Sequence, residues 1–80
     1  MNKKQIEEKL KFWKKQEIEL EKRFNNLMLL RGEAAREGDL KENAGFELRT
    51  EEAQVASAQL GQARKTIKQL EEELDGYHKD

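Results

Sequence analysis

The sequence predicts an all-α fold in which two long helices form an antiparallel coiled-coil hairpin. The 80-residue chain contains no proline, and charged residues make up 41% of it, a composition typical of long helices and coiled coils. Apolar residues recur at alternating steps of three and four in both halves of the chain, which is the heptad pattern of a coiled-coil seam. The pattern pauses near the middle, at 38–43.

The first helix is predicted from about residue 3 to residue 37. Phe12, Ile18 and Leu30 widen its apolar stripe, as a hairpin requires. Glu17 occupies a seam position that would otherwise be apolar. The remaining seam positions are Ile6, Leu10, Trp13, Leu20, Phe24 and Leu27.

The second helix has a complete seam. Gly61 falls inside this helix and should cost about 1 kcal/mol relative to alanine. We expect the helix to end at Asp75 and Gly76, with Gly76 in the left-handed conformation that often follows a last turn. This gives a hairpin domain over 1–76 and a short tail over 77–80. The seam residues are Ala53, Ala56, Leu60, Ala63, Ile67, Leu70 and Leu74.

Folding the chain back near residue 40 predicts which seam residues meet. Large residues of the first helix then face small ones of the second at several positions, which favours close packing. Glu17 faces Ala63, a small residue that would let its carboxylate reach water. Each arm is about 50 Å long at 1.5 Å per residue. The predicted pairs are Leu10 with Leu70, Trp13 with Ile67, Leu20 with Leu60, and Phe24 with Ala56.

Two aromatic residues lie near the open end of the hairpin. The favoured interpretation is that Trp13 packs on Ile67. The alternative is that Phe12 and Trp13 contact a second copy of the chain in a weak homodimer, because a two-helix hairpin buries each seam residue on only part of its surface.

Several functions are disfavoured by what the sequence lacks. It has no cysteine, and His78 is its only histidine, so no histidine triad or zinc site can be assembled. Two narrow helices offer no pocket of enzyme size, so we expect the chain not to be an enzyme by itself. The net charge of −1 does not indicate a general polyanion binder. No apolar run reaches the ~20 residues of a membrane span and no signal peptide is apparent, so we expect a cytoplasmic protein without membrane contact.

The interruption between the helices carries two carboxylates three residues apart. Gly38 is suited to end the first helix. Asp39 and Glu42 then resemble a capping box for the second helix. The same spacing also allows both carboxylates to converge on one Mg²⁺, an ion that prefers oxygen ligands. Arg36 and Lys41 flank the pair and would suit contacts with phosphate or a partner carboxylate.

Residues 38–44 read Gly-Asp-Leu-Lys-Glu-Asn-Ala and resemble the coiled-coil tip of the bacterial Gre transcript-cleavage factors. The signature of that family is Gly-Asp-Leu-x-Glu-Asn-Ala, after an Ala-Arg-rich helix end. Here 34–37 read Ala-Ala-Arg-Glu, and Glu51 and Glu52 lie where the family is also acidic.

The resemblance implies a function in transcription elongation. A Gre coiled coil enters the secondary channel of RNA polymerase, where the tip carboxylates help to hold a second Mg²⁺ for cleavage of backtracked RNA. By resemblance, Asp39 and Glu42 would assist this shared Mg²⁺, and no cofactor would be bound by the chain alone. Asn43 would hold the tip. The residues implied near the RNA 3′ end or the polymerase are Arg36, Lys41, Asn43 and Phe46.

The chain also departs from the family pattern. It corresponds to the N-terminal half of a Gre factor, without the C-terminal globular domain, as either a fragment or a short relative. Gly45 replaces a usual acidic residue, and Phe46 stands where tyrosine is common. Two alternatives therefore stay open: a regulator that occupies the channel without stimulating cleavage, and a structural coiled-coil interaction module.

Overall fold

The computed structural model describes residues 1–36 and 44–77, except for the side chain of Ala44. Helix α1 spans Lys3–Arg36 and helix α2 spans Ala44–Tyr77. The helices pack against each other in opposite directions and form a rod measuring 61 × 15 × 15 Å. The described part of the chain thus confirms the predicted all-α hairpin. No helix in these ranges is long and apolar enough to cross a membrane.

The start of α1 is fixed by two reciprocal hydrogen bonds. The Gln5 backbone N–H donates to Oδ1 of Asn2 over 2.9 Å, and the Asn2 N–H donates to Oε1 of Gln5 over 3.0 Å. This is a capping box with asparagine and glutamine in place of the more common serine and glutamate. It pairs backbone donors that a helix start would otherwise leave without partners.

Two clusters of apolar residues hold the helices together and bring together three of the four predicted pairs, Leu10 with Leu70, Trp13 with Ile67, and Phe24 with Ala56. Near the open end, Trp13 and Leu74 pack against a buried cluster that includes Leu10 and Ile67. The full buried cluster is Ile6, Leu10, Ile67 and Leu70. Near the tip, Phe24 packs on the second buried cluster, which is Leu27, Ala53 and Ala56. The favoured placement of Trp13 on the seam near Ile67 is therefore correct.

The Glu17 carboxylate reaches the surface, where it pairs with an arginine that the sequence pattern did not indicate: Nε of Arg64 lies 3.1 Å from Oε2 of Glu17. Arg64 also lies 3.9 Å from Glu21, and Nζ of Lys14 lies 3.7 Å from Glu71. These pairs join the two helices, but exposed ion pairs contribute only about 0–1 kcal/mol each. The register therefore depends on the apolar clusters.

The predicted stop at Gly76 is wrong, because α2 continues to Tyr77. No described glycine has a positive φ, so Gly76 is an ordinary helical residue and not a left-handed cap. Tyr77 supplies the physical reason. It falls on the seam three residues after Leu74, and its hydroxyl donates a hydrogen bond to the Met1 carbonyl. This contact with the residues that precede α1 holds the last turn beyond the glycine.

Gly61 provides a test of how much the helices depend on local propensity. A Cβ at Gly61 would meet nothing within 4 Å, and the position is helical and exposed. Gly61→Ala should therefore raise the free energy of unfolding by about 1 kcal/mol, since alanine loses less backbone freedom on folding. Urea denaturation followed by circular dichroism measures the change.

The control is the reverse substitution, Ala58→Gly, at an exposed position of the same helix. It should lower the free energy of unfolding by a similar amount. If Gly61→Ala leaves stability unchanged while Ala58→Gly lowers it, α2 is not a regular helix at Gly61.

Candidate functional site

The candidate site lies at the end of the rod where the chain passes from Arg36 of α1 to Ala44 of α2. Gly38 and four of the predicted site residues, Asp39, Lys41, Glu42 and Asn43, lie outside the described residues. The predicted capping and metal-assisting roles of the two carboxylates stay predictions. The described part of the site consists of the two helix ends that carry this segment.

Each of these helix ends carries a charge that suits the helix dipole. Arg36 is the last residue of α1 and is exposed. Glu47 lies in the first turn of α2. A cation near a helix C-terminus and an anion near an N-terminus each stabilise the helix by roughly 0.3–1 kcal/mol. Arg36 therefore has a structural role at the helix end, and its side chain is also accessible to a partner.

Just below the helix ends, three residues link α1 to α2, and we call them the tip collar: Arg31, Phe46 and Thr50. The guanidinium carbon of Arg31 lies 4.7 Å from the centre of the Phe46 ring, a cation–π distance. Nε of the same arginine donates a hydrogen bond of 2.8 Å to Oγ1 of Thr50. One α1 side chain thus contacts two residues of α2.

The Thr50 hydroxyl completes the tip collar by using both of its hydrogen-bonding functions. It accepts from Arg31 and donates to the Phe46 carbonyl over 2.9 Å. All three collar residues are half-buried, so these contacts are less screened by water than the ion pairs further along the rod. The collar therefore fixes the spacing of the helices next to the segment that carries the carboxylates.

The tip collar follows from the heptad register, although the sequence analysis did not identify Arg31 or Thr50. Four residues beyond Leu27, the seam of α1 reaches Arg31. Seven residues before Ala53, the seam of α2 reaches Phe46. Continuing the heptad spacing beyond Leu27 in α1 and back from Ala53 in α2 would have identified Arg31 and Phe46 as residues that face each other. The arginine was missed because a charged residue at a seam position ends an apolar pattern.

The predicted contact residue Phe46 has a defined environment. It is half-buried, and the Arg31 guanidinium lies over its ring. Phenylalanine is suited to this position because its ring face attracts a cation without needing a hydroxyl. Its predicted contact with RNA or polymerase stays a prediction.

Two acidic residues of α2, Glu51 and Glu52, lie near the site, and Glu52 forms an ion pair with Arg49. Oε2 of Glu52 lies 3.1 Å from Nη1 of Arg49 in the same helix, and Glu51 is exposed. Within residues 1–36 and 44–77, no group of three or more histidine, cysteine, aspartate or glutamate side chains is placed to hold a metal ion. This finding does not extend to Asp39 and Glu42.

Comparison with known proteins adds no further assignment: no family model, curated protein or solved structure matches the chain.

The tip collar predicts a measurable coupling between Arg31 and Phe46. A double-mutant cycle with Arg31→Met and Phe46→Leu should give a coupling energy of about 0.5–1 kcal/mol, because each single variant removes the cation–π contact while keeping an apolar side chain. Thermal or urea unfolding of the four proteins provides the values.

As a control, the same cycle with Arg36→Met in place of Arg31→Met should show coupling near zero, since Arg36 is an exposed residue outside the heptad seam. Equal coupling in both cycles would contradict the collar as a specific contact.

Proposed function

We propose that the chain is a Gre-like transcription elongation factor that enters the secondary channel of bacterial RNA polymerase. Its acidic segment would stimulate cleavage of backtracked RNA by the polymerase. The chain would therefore act on an enzyme without being one itself. The proposal implies a cytoplasmic protein whose partners are RNA polymerase and the RNA 3′ end in the elongation complex.

One observation carries the proposal. The seven residues 38–44 match the Gre tip signature, and they fall where α1 ends and α2 begins. The structural context supports the match, since the two helices form a rod about 61 Å long and 15 Å wide. A rod of this shape can carry a short segment deep into a narrow channel.

In this proposal, Asp39 and Glu42 contribute carboxylate oxygens to a metal site that the polymerase largely provides. Mg²⁺ prefers oxygen ligands and retains waters when a protein supplies only one or two carboxylates. Bound there, such an ion would supply charge neutralisation at the reacting phosphate and activation of the attacking water. Lys41, Arg36 and Asn43 would orient the segment against RNA or polymerase through hydrogen bonds.

The tip collar has a positioning role in this mechanism. Two carboxylates at the end of a rod assist a reaction only when they are held close to the productive geometry. Arg31, Phe46 and Thr50 link the helices a few residues from the acidic segment. They limit the movement of one helix end relative to the other, while the seam aligns the rod.

The test uses backtracked elongation complexes with Mg²⁺ and 3′-labelled RNA. The parent protein should release short 3′ fragments. Asp39→Asn should reduce the rate of cleavage at least about tenfold, because it removes the metal-binding charge. Asparagine is as favourable as aspartate at the predicted N-cap position, so the substitution separates the two predicted roles.

Asp75→Asn is the matched control. It makes the same chemical change in an exposed residue near the other end of the rod, and it should leave cleavage unchanged. Full cleavage by Asp39→Asn would refute the role of Asp39. Equal loss in both variants would indicate a general effect of charge.

A second candidate function is occupation of the channel without cleavage. It is favoured by Gly45, which lacks the usual acidic side chain, and by Phe46, whose ring packs under Arg31 and carries no hydroxyl. Titrating the chain against a complete Gre factor separates the two functions. A fall in cleavage supports the blocking regulator, and a rise supports the cleavage factor. If the chain does not bind polymerase in a pull-down, both of these functions are excluded, and the remaining alternative is a structural coiled-coil interaction module.

A further inference from the structure

The two helices of the rod carry opposite net charges. Helix α1 contains ten basic and six acidic residues, and α2 contains four basic and seven acidic residues, so their net charges are +4 and −3. Few of the α1 cations are neutralised by ion pairs. Lys14 pairs with Glu71 of α2, and Lys3 pairs with Glu7 of its own helix. The excess positive charge therefore lies on surface of α1 that does not face α2.

Four lysines on the outer side of α1 account for this excess, and they lie in one row. At 3.6 residues per turn, their directions around the helix axis fall within about 40° of each other, opposite the heptad seam. All four are exposed. Among residues 1–36 and 44–77, no ion pair includes any of them. We call this set the lysine row: Lys4, Lys11, Lys15 and Lys22.

Two large apolar side chains lie along the lysine row. Ile18 falls between Lys15 and Lys22, and Leu29 follows Lys22 by one heptad. Ile18 is 53% exposed and Leu29 is 62% exposed, and neither residue belongs to the seam. The outer side of α1 thus combines unpaired positive charge with exposed apolar surface. The stems of the lysines add to this apolar surface, since only the end of each side chain is charged.

We propose that the lysine row, together with Ile18 and Leu29, binds an acidic amphipathic helix of another protein that lies along α1. The proposal goes beyond the function proposed above and uses only described residues. Spacing, side-chain chemistry and charge each support this kind of partner.

The spacing of the lysine row matches the repeat of a helix. Lys4 and Lys11 are one heptad apart, and so are Lys15 and Lys22, which separates the members of each pair by about 10.5 Å along the axis. A helix that lies alongside α1 repeats its own facing positions every heptad, over the same distance. Carboxylates at those positions can therefore meet each lysine in turn, while an apolar residue between them covers Ile18.

Side-chain chemistry and charge favour a protein helix over the phosphate backbone of a nucleic acid. A phosphate backbone gives the exposed Ile18 and Leu29 no apolar partner. The row consists of lysines, whereas arginine is better suited to bidentate recognition of phosphate. In addition, α2 has a net charge of −3 and belongs to the same rod, which is 15 Å wide. A long polyanion would be repelled by α2, but a single helix can contact α1 alone.

Two glutamates restrict where the partner helix can lie. Glu8 and Glu19 flank the lysine row on the side away from Ile18, and neither forms an ion pair in the described part of the chain. The carboxylates of the partner should lie over the lysines and toward Ile18, because like charges repel. Charge and apolar contact therefore favour the same placement of the partner.

The length of the lysine row determines how much of the rod the partner covers. From Lys4 to Lys22 the row extends about 27 Å, which a helix of about 18 residues can span. It ends about 21 Å before Arg36, the last residue of α1. A helix bound to the lysine row would therefore leave the tip collar and the acidic segment uncovered.

The experiment measures binding of a synthetic alanine-based helix to the full chain by fluorescence anisotropy of the labelled peptide. Glutamates in the matched peptide reproduce the spacing of the lysine row, which reads the same in both directions. Leucines stand at the two positions that lie level with Ile18 in either orientation. The control peptide has the same composition, with its glutamates distributed around the helix. The matched peptide should bind at least about fivefold more tightly, because only its carboxylates can meet all four lysines.

Variants of the chain test the binding surface itself. The double substitution Lys11→Gln with Lys15→Gln should weaken binding of the matched peptide about fivefold, because two exposed ion pairs are lost. Ile18→Gln should weaken it about threefold, because apolar contact is lost. The matched control is Lys65→Gln with Lys68→Gln, which removes the same charge from exposed positions of α2 and should leave binding unchanged. Circular dichroism verifies that the peptides and all variants are helical.

Several results would overturn the proposal. Equal binding of the two peptides, equal loss in the two double variants, or full binding by Ile18→Gln would each indicate general attraction between opposite charges. The chain is also titrated with a single-stranded RNA oligonucleotide and with vesicles of equal parts phosphatidylglycerol and phosphatidylcholine. Tighter binding of either one than of the matched peptide would overturn the proposed class of partner. None of these measurements involves polymerase, so failure here leaves the proposed transcription function unaffected.

Discussion

The structure depends on how the large and small residues of the seam fit together. In the cluster near the tip, α1 contributes the large residues Phe24 and Leu27, and α2 contributes Ala53 and Ala56. A register shift by one heptad would change which large residues face alanines and which face the leucines and isoleucine of α2. Because interiors tolerate neither voids nor overlaps well, this complementarity selects one alignment. The alignment then determines which residues lie at each end of the rod.

Polar contacts at both ends of the rod add to the alignment of the helices that the apolar seam determines. The capping box at Asn2 starts α1, and the Tyr77 hydroxyl ties the end of α2 to Met1. At the other end, the tip collar replaces aliphatic packing with a cation–π contact and a hydrogen bond. These contacts are directional, whereas apolar packing alone would allow small sliding movements. The acidic segment is thus carried by two helix ends whose relative position is defined.

The sequence was sufficient to predict the helices and their register, because heptad spacing reports directly which residues face the partner helix. The sequence was less informative where a polar side chain could either face water or bind one of several partners. Glu17 was expected to reach water, and at the surface it also pairs with Arg64, a contact that depends on the reach of a long side chain across the seam. Gly76 was expected to end α2, but the contact made by Tyr77 outweighs the local preference of glycine. Arg31 was overlooked because a charged seam residue interrupts the apolar pattern. For Asp39 and Glu42, the sequence match alone supports the assignment.

The proposed function requires residues 38–44 to reach the catalytic centre of RNA polymerase at the end of the rod. Site-specific photo-crosslinking tests it most directly, with a photoreactive amino acid at Lys41 in one protein and at Ser57, midway along the rod, in another. In backtracked elongation complexes, the account predicts that the probe at 41 crosslinks to the 3′ segment of the RNA, while the probe at 57 crosslinks only to polymerase. Absence of an RNA crosslink from position 41, in a complex where position 57 still crosslinks to polymerase, would contradict the account.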